Sequence, residues 1–156
     1  MRILLLSDTH GNLLLARKAL KLAGQVPLVL HAGDYHRDAL RLARAERVDV
    51  RGVRGNCDLG GEGPLEDFLE LGGRRVFLTH GHQYGVKGGL ERLTARVLAA
   101  GADVAVYGHT HVPAEVVFEG LLLVNPGSLG YGRGTHPHTC ALLELGAELA
   151  VRFLNL

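Results

Sequence analysis

The sequence predicts an α/β domain whose first half alternates strands with helices and whose second half is nearly all strand, closing into two packed sheets. Three observations carry this prediction. Short apolar runs ending in polar residues are followed by helical spacing at the start of the chain. Helical spacing stops at Gly101. Four consecutive strand-like segments then complete the sequence, separated by turn residues or loops.

In order, Arg2 to Ser7 is an almost continuous apolar run, the pattern of a strand covered on both faces, and Asn12 to Ala23 has helical spacing. Pro27 to His31 and Arg37 to Glu46 repeat this β-to-α step, and Val48 to Val53 reads as a third strand. Such repetition implies parallel strands joined by crossover helices. A glycine-rich stretch around Gly60 to Pro64 changes the order. Leu65 to Leu71 and Arg74 to Thr79 then read as a strand pair turned by Gly72-Gly73. Leu90, Leu93, Val97 and Leu98 mark one face of a helix that ends at Gly101, and Asp103 to Tyr107 is the next strand. Ala114 to Phe118, Leu121 to Asn125, Thr139 to Leu145 and Glu148 to Leu154 are the closing strands, with turns at Glu119-Gly120 and Gly146-Ala147.

With 156 residues, 47% of them hydrophobic, the chain suits one domain, residues 1–156, with no repeat or linker. Its formal charge of +1 offers no broad field for gripping nucleic acid. The opening apolar run is too short for a signal-peptide core, and no stretch has the roughly 20 apolar residues of a membrane span. The expected location is cytoplasmic, where Cys57 and Cys140 stay free thiols.

The polar residues fall at informative places. Asp8 and His10, Asp34, Asn56, His80 and His82, and His109 and His111 all sit just after predicted strands. In an open α/β sheet the carboxyl ends of parallel strands converge on one rim, so side chains distant in sequence can share a crevice. Asp8 with His10, and His109 with His111, are spaced by two, which on an extended segment points both side chains the same way. Carboxylates, imidazoles and one amide suit borderline divalent ions, and a thiolate-free set argues against a zinc finger. Seven ligands, Asp8, His10, Asp34, Asn56, His80, His109 and His111, exceed one ion's needs and match two ions sharing a bridging carboxylate, here Asp34.

Ser7-Asp8-Thr9-His10-Gly11, Gly33-Asp34, Gly55-Asn56-Cys57-Asp58, Thr79-His80-Gly81-His82 and Gly108-His109-Thr110-His111 resemble, in order, the five motifs of the calcineurin-like metallophosphoesterases. Asn125-Pro126-Gly127-Ser128 adds to the match. Cys57 and the short chain resemble the small bacterial and archaeal phosphodiesterase branch of that superfamily. The resemblance runs from residue 2 to the last strands. It implies a four-layer sandwich of two mixed β-sheets flanked by helices. It further implies that Asp8, His10, Asp34 and His111 hold a first metal, and that Asp34, Asn56, His80 and His109 hold a second and, through it, the nucleophile and the phosphate. Asp58 takes the place of a carboxylate that orients a ligand histidine. Manganese leads the candidate ions, with Ni, Co, Fe or Zn as alternatives.

Charge counting agrees. Two divalent ions, less Asp8, Asp34 and a bridging hydroxide, leave about one positive charge for an anion, which matches a phosphodiester. The expected activity is therefore hydrolysis of a phosphate ester, foremost a small phosphodiester, by attack of that hydroxide. The oligomeric state is left open, with a homodimer or homotetramer what the resemblance to the small phosphodiesterases implies. The alternative is a catalytically weak metal-binding scaffold resembling the retromer subunit of the same fold. A full ligand set including Asp34 favours the enzyme.

Many members of the superfamily carry histidine where Cys57 stands. A thiol is a poor proton donor to an alkoxide, so esters with good leaving groups are the expected substrates, with His82 the candidate to stand in. Cys57 itself is read as a small buried filler. His31 is read as a packed strand-end residue, and His36, His136 and His138 as solvent-facing. Arg133 is a candidate phosphate contact, with a solvated loop arginine the equal alternative. Selectivity is assigned to the loops Leu59 to Pro64 and Gly130 to Pro137. The glycine-rich stretches match neither the P-loop nor the Rossmann fingerprint.

Overall fold

A computed structural model describes residues 1–130 and 137–156. The elements run β1 (Arg2–Leu6), α1 (Leu13–Ala23), β2 (Val29–His31), α2 (His36–Glu46), β3 (Val50–Gly52), β4 (Glu66–Leu71), β5 (Arg74–Thr79), a 3-10 turn (His82–Tyr84), α3 (Glu91–Ala99), β6 (Val104–Val106), β7 (Ala114–Phe118), β8 (Leu121–Asn125), β9 (Thr139–Leu145) and β10 (Leu149–Asn155). They form two five-stranded sheets, ordered β10-β9-β1-β2-β3 and β4-β5-β6-β8-β7.

Both sheets are mixed. In the first, β1, β2 and β3 are parallel and β9 and β10 antiparallel; in the second, β5, β6 and β8 are parallel and β4 and β7 antiparallel. The apolar run of β1 shows why. Ile3 and Leu5 join Val76, Leu78, Val104, Val106 and Val124 in the core between the sheets. Leu4 and Leu6, on the opposite face, pack with Ala16, Ala19 and Ala23 of α1 and Leu42 of α2. A strand covered on both faces has no polar side to alternate with. The second sheet repeats the arrangement, its outer residues Phe77, Ala105 and Leu123 packing with Leu93 and Val97 of α3. The layers are therefore helix, sheet, sheet, helix.

Local signals set the element ends. Asn12 caps α1 by accepting the Leu15 N–H at 3.2 Å, and its amide donates to the Leu129 carbonyl at 3.2 Å, joining the helix start to the loop after β8. The expected strand at 48–53 narrows to Val50–Gly52, and β2 and β6 are also three residues long. These parallel strands stop where the chain turns outward at the rim. Among the described residues no helix is long and apolar enough to cross a membrane. Cys57 and Cys140 are both free.

Candidate metal centre

The rim where β1, β2, β3, β5 and β6 end carries all seven expected ligands, and the backbone there is unusual. Asp8, His10, Asp34, His109 and His111 have φ of 51°, 45°, 54°, 71° and 60°, all in the left-handed region. This corrects the extended-segment expectation for the two pairs: tight turns past the strand ends aim these side chains. Non-glycine residues in sparsely populated conformations cost roughly 1–3 kcal/mol each and persist only where their surroundings over-determine them. Here they do. The Asp8 N–H donates to the Gly33 carbonyl at 2.9 Å, and the Asp8 carbonyl accepts from the Gly130 N–H at 2.8 Å and the Ser128 hydroxyl at 3.1 Å. Asn125 donates to the Gly108 carbonyl at 2.9 Å and to Thr110 Oγ1 at 3.0 Å, holding the turn between His109 and His111.

The side chains form two adjoining groups. Ligand atoms of Asp8, His10, Asp34 and His111 all lie within 4.8 Å of one another. His111 Nε2 is 3.0 Å from Asp8 Oδ1, and His10 Nε2 is 3.7 Å from Asp34 Oδ2. Beside them, His80 Nε2 is 3.4 Å from Asp34 Oδ1, 4.0 Å from Asp8 Oδ1 and 3.1 Å from Asn56 Oδ1. The His109 ring lies 5.0 Å from that of His80, and the His109 N–H donates to Asp8 Oδ2 at 3.1 Å. Asp34 thus stands between the two groups. Asp8, Asp34 and His80 are buried while Asn56 is exposed, so the crevice opens on the Asn56 side.

The donor set fits cations. His80 Nδ1 is 2.8 Å from the Ala32 carbonyl, which only an N–H can satisfy. Nε2 is then the ring atom turned towards oxygens of Asp34, Asp8 and Asn56. Imidazole nitrogen, carboxylate oxygens and an amide oxygen converge there, a donor set that suits a borderline divalent ion. Electrostatics agree. Burial, reinforced by His80 and Lys87, pushes His109 down to about 4, so its ring is neutral at ordinary pH. Burial also lowers His10 against the pull of Asp34, and lowers His82. Burial alone would raise Asp8, but the His111 contact, His80 and the Ser7 hydroxyl outweigh it and its pKa is lowered. Carboxylate and neutral imidazole are the forms that bind metal.

Several expectations change. Among the described residues Asp58 makes no hydrogen bond to a histidine ring. Its carboxylate accepts the backbone N–H groups of His36 at 2.9 Å and Gly55 at 2.8 Å, because it folds back on its own turn and on the start of α2. It therefore braces the loops carrying Asp34 and Asn56. Cys57 is exposed rather than a buried filler, since its backbone is held in place by an N–H donated to Asp34 Oδ1 at 2.9 Å. Desolvation and the Asp34 carboxylate raise its thiol to about 11. His36 is buried and His138 partly so, neither solvent-facing. His82 heads the 3-10 turn with its ring 5.4 Å from His80 and 6.1 Å from His109, beside the second group. Arg133 and His136 lie outside the described residues.

One network was missed. His31, buried at the end of β2, accepts the Gly33 N–H on Nδ1 at 3.3 Å, so its Nε2–H donates to Thr9 Oγ1 at 3.1 Å. Thr9 in turn donates to Asp38 Oδ2 at 2.8 Å, which also accepts the Gly11 N–H at 2.8 Å. The chain from His31 through Thr9 to Asp38 clamps the turn between Asp8 and His10. A signal was present: Asp38 lies four residues before Leu42 on the buried face of α2, a place for an apolar residue.

Comparison with known proteins agrees with this geometry. Residues 1–148 match the model of the calcineurin-like phosphoesterase superfamily domain. The chain is 36% identical over 157 residues to a probable metallophosphoesterase, YsnB, of Bacillus subtilis, covering 99% of this chain and 91% of that one. It is 31% identical over 168 residues to the phosphodiesterase YfcE of Escherichia coli K12, covering 92% and 88%. Its fold matches a conserved protein of Streptococcus pneumoniae TIGR4, a predicted phosphoesterase, with a TM-score of 0.86 at 30% identity over 99% of this chain and 88% of that one. Vps29 of Entamoeba histolytica, solved with zinc, shares the fold with a TM-score of 0.76 at 22% identity over 99% of each chain. Motifs, rim and fold together mean that the chain belongs to the calcineurin-like phosphoesterase superfamily.

Proposed function

We propose that this protein is a two-metal phosphodiesterase. The observation that carries the reading is the convergence of His80 Nε2 with Asp34, Asp8 and Asn56 oxygens, next to a second group of carboxylates and imidazoles sharing Asp34. Asp8, His10, Asp34 and His111 would hold one ion, and Asp34, Asn56, His80 and His109 the other, with manganese foremost. Bound divalent ions supply an activated water nucleophile and offset the charge of the phosphate.

The chain's own residues prepare this chemistry. The Ala32 carbonyl fixes the His80 tautomer, the Cys57 N–H fixes one oxygen of Asp34, and burial keeps His109 neutral. Asn56 stands at the open side where substrate enters. In the metal-free chain the Cys57 thiol, raised to about 11, is protonated near neutrality. The two buried aspartates leave the site with about one positive charge once two ions and a hydroxyl are counted, which favours a monoanionic diester over a dianionic monoester. The phosphodiesterase YfcE, 31% identical, supports the same choice.

The test is hydrolysis of 4-nitrophenyl monoester and diester substrates by metal-stripped protein, with Mn, Ni, Co, Zn and Mg restored one at a time. Diester turnover that requires a transition metal and disappears in Asp34→Asn is the expected result. Stoichiometric metal binding without turnover on either substrate would instead favour a metal-binding scaffold.

A further inference from the structure

A cavity of about 350 Å³ adjoins the metal centre and belongs to none of its ligands. It is lined by Tyr35, Arg37 and Leu40 from the start of α2 and by Cys57, Leu59 and Glu62 from the loop after β3, among others. Two of these residues tie it to the site. Tyr35 follows Asp34, and its ring lies 5.1 Å from that of His10. Cys57 donates its N–H to Asp34 Oδ1. A group esterified to a phosphate at the metal centre therefore has this cavity as an immediate neighbour.

From these features we infer that the cavity is a subsite for one ester arm of the substrate, and that the arm is uncharged and aromatic, such as a nucleoside. The inference rests on the phosphodiesterase reading. Size limits the arm: ligand pockets span roughly 300–1,000 Å³, so this one is at the small end and suits a single ring system. The wall favours a planar group. The Arg37 guanidinium lies 4.8 Å over the Tyr35 ring, joining two flat faces, and guanidinium and phenol planes both stack on aromatic ligands. Leu59 is 91% exposed and Leu40 44% exposed, apolar area that an occupant would cover. Charge excludes a second phosphate. The charged lining groups are Arg37, Asp58 and Glu62, two acids to one base, and the one base is engaged with a ring.

The expected selectivity is read without knowing which arm leaves by using symmetrical diesters. Diphenyl phosphate and diethyl phosphate are compared as competitive inhibitors of bis(4-nitrophenyl) phosphate hydrolysis by the metal-loaded protein. One buried phenyl ring is expected to lower the inhibition constant of diphenyl phosphate about tenfold or more below that of diethyl phosphate. In the Arg37→Ala/Leu59→Ser double variant, whose side chains are exposed and whose folding is checked by circular dichroism, the ratio should collapse towards one. Equal constants in the unaltered protein, or a ratio that survives the double substitution, would overturn the subsite. Absence of bis(4-nitrophenyl) phosphate hydrolysis with every metal would instead remove the phosphodiesterase reading and the subsite with it.

Discussion

Asp38 and His31 touch no expected ligand atom, yet the turn carrying Asp8 and His10 is pinned through them. Partners of this kind tune metal sites strongly, so Asp38→Ala should weaken metal binding roughly 10- to 100-fold, read by calorimetric titration of the stripped protein. His31 also makes stability depend on pH. Burial lowers it from 6.5 to about 4. The unfolded chain therefore binds a proton below pH 6.5 that the folded chain refuses, and stability is full above 6.5 and lost as pH falls to about 4. The loss from this group is about 3 kcal/mol, and urea denaturation of metal-free protein should show a shallower decline over that window in His31→Gln. At Cys57 the raised thiol predicts that Cys57→Ser keeps its diester activity, and that iodoacetamide alkylates metal-free protein slowly at pH 8. The polar residues that gather at the rim were legible in sequence because metal chemistry would restrict residue type at each strand end. The positive φ values were not, since aspartate and histidine adopt either sign and only the surrounding hydrogen bonds decide.

At the scale of elements, the site is a set of loop starts held by strand and helix ends, and glycine keeps them close. A Cβ on Gly55 would overlap the Asp34 carboxylate, and one on Gly33, at φ 94°, would lie 2.7 Å from His80 Cβ. Gly55→Ala should therefore displace Asp34 and abolish tight metal binding while far-UV circular dichroism is unchanged. Asn12 ties α1 to the loop after β8 through both ends of its amide, so Asn12→Ala should cost about 1 kcal/mol, read by denaturant melting. The elements themselves were legible: the apolar runs of β1 and β9 and the spacing of α1 and α3 each specify one period. Boundaries at β2, β3 and β6 were less so, because apolar residues continue past the last ladder bond to the rim.

For the molecule as a whole, stability and site are linked. The core between the sheets includes Leu5, fully buried against both, and Leu5→Ala should cost about 2–5 kcal/mol. Metal that binds only the folded chain should raise the melting temperature, by about 2.7 kcal/mol of stability at a hundredfold excess over the dissociation constant, and a chelator should reverse it. The sequence by itself determined the period of each element, the residue types at each strand end and so the donor chemistry. These are local properties, set by the nearest few residues. Tertiary structure alone decided the left-handed turns that aim the donors, that Asp58 braces backbone while Asp38 reaches the Asp8 turn, and that a cavity opens beside Cys57. Those facts depend on the pairing of strands distant in sequence and on the distance between two sheets, which no local pattern encodes.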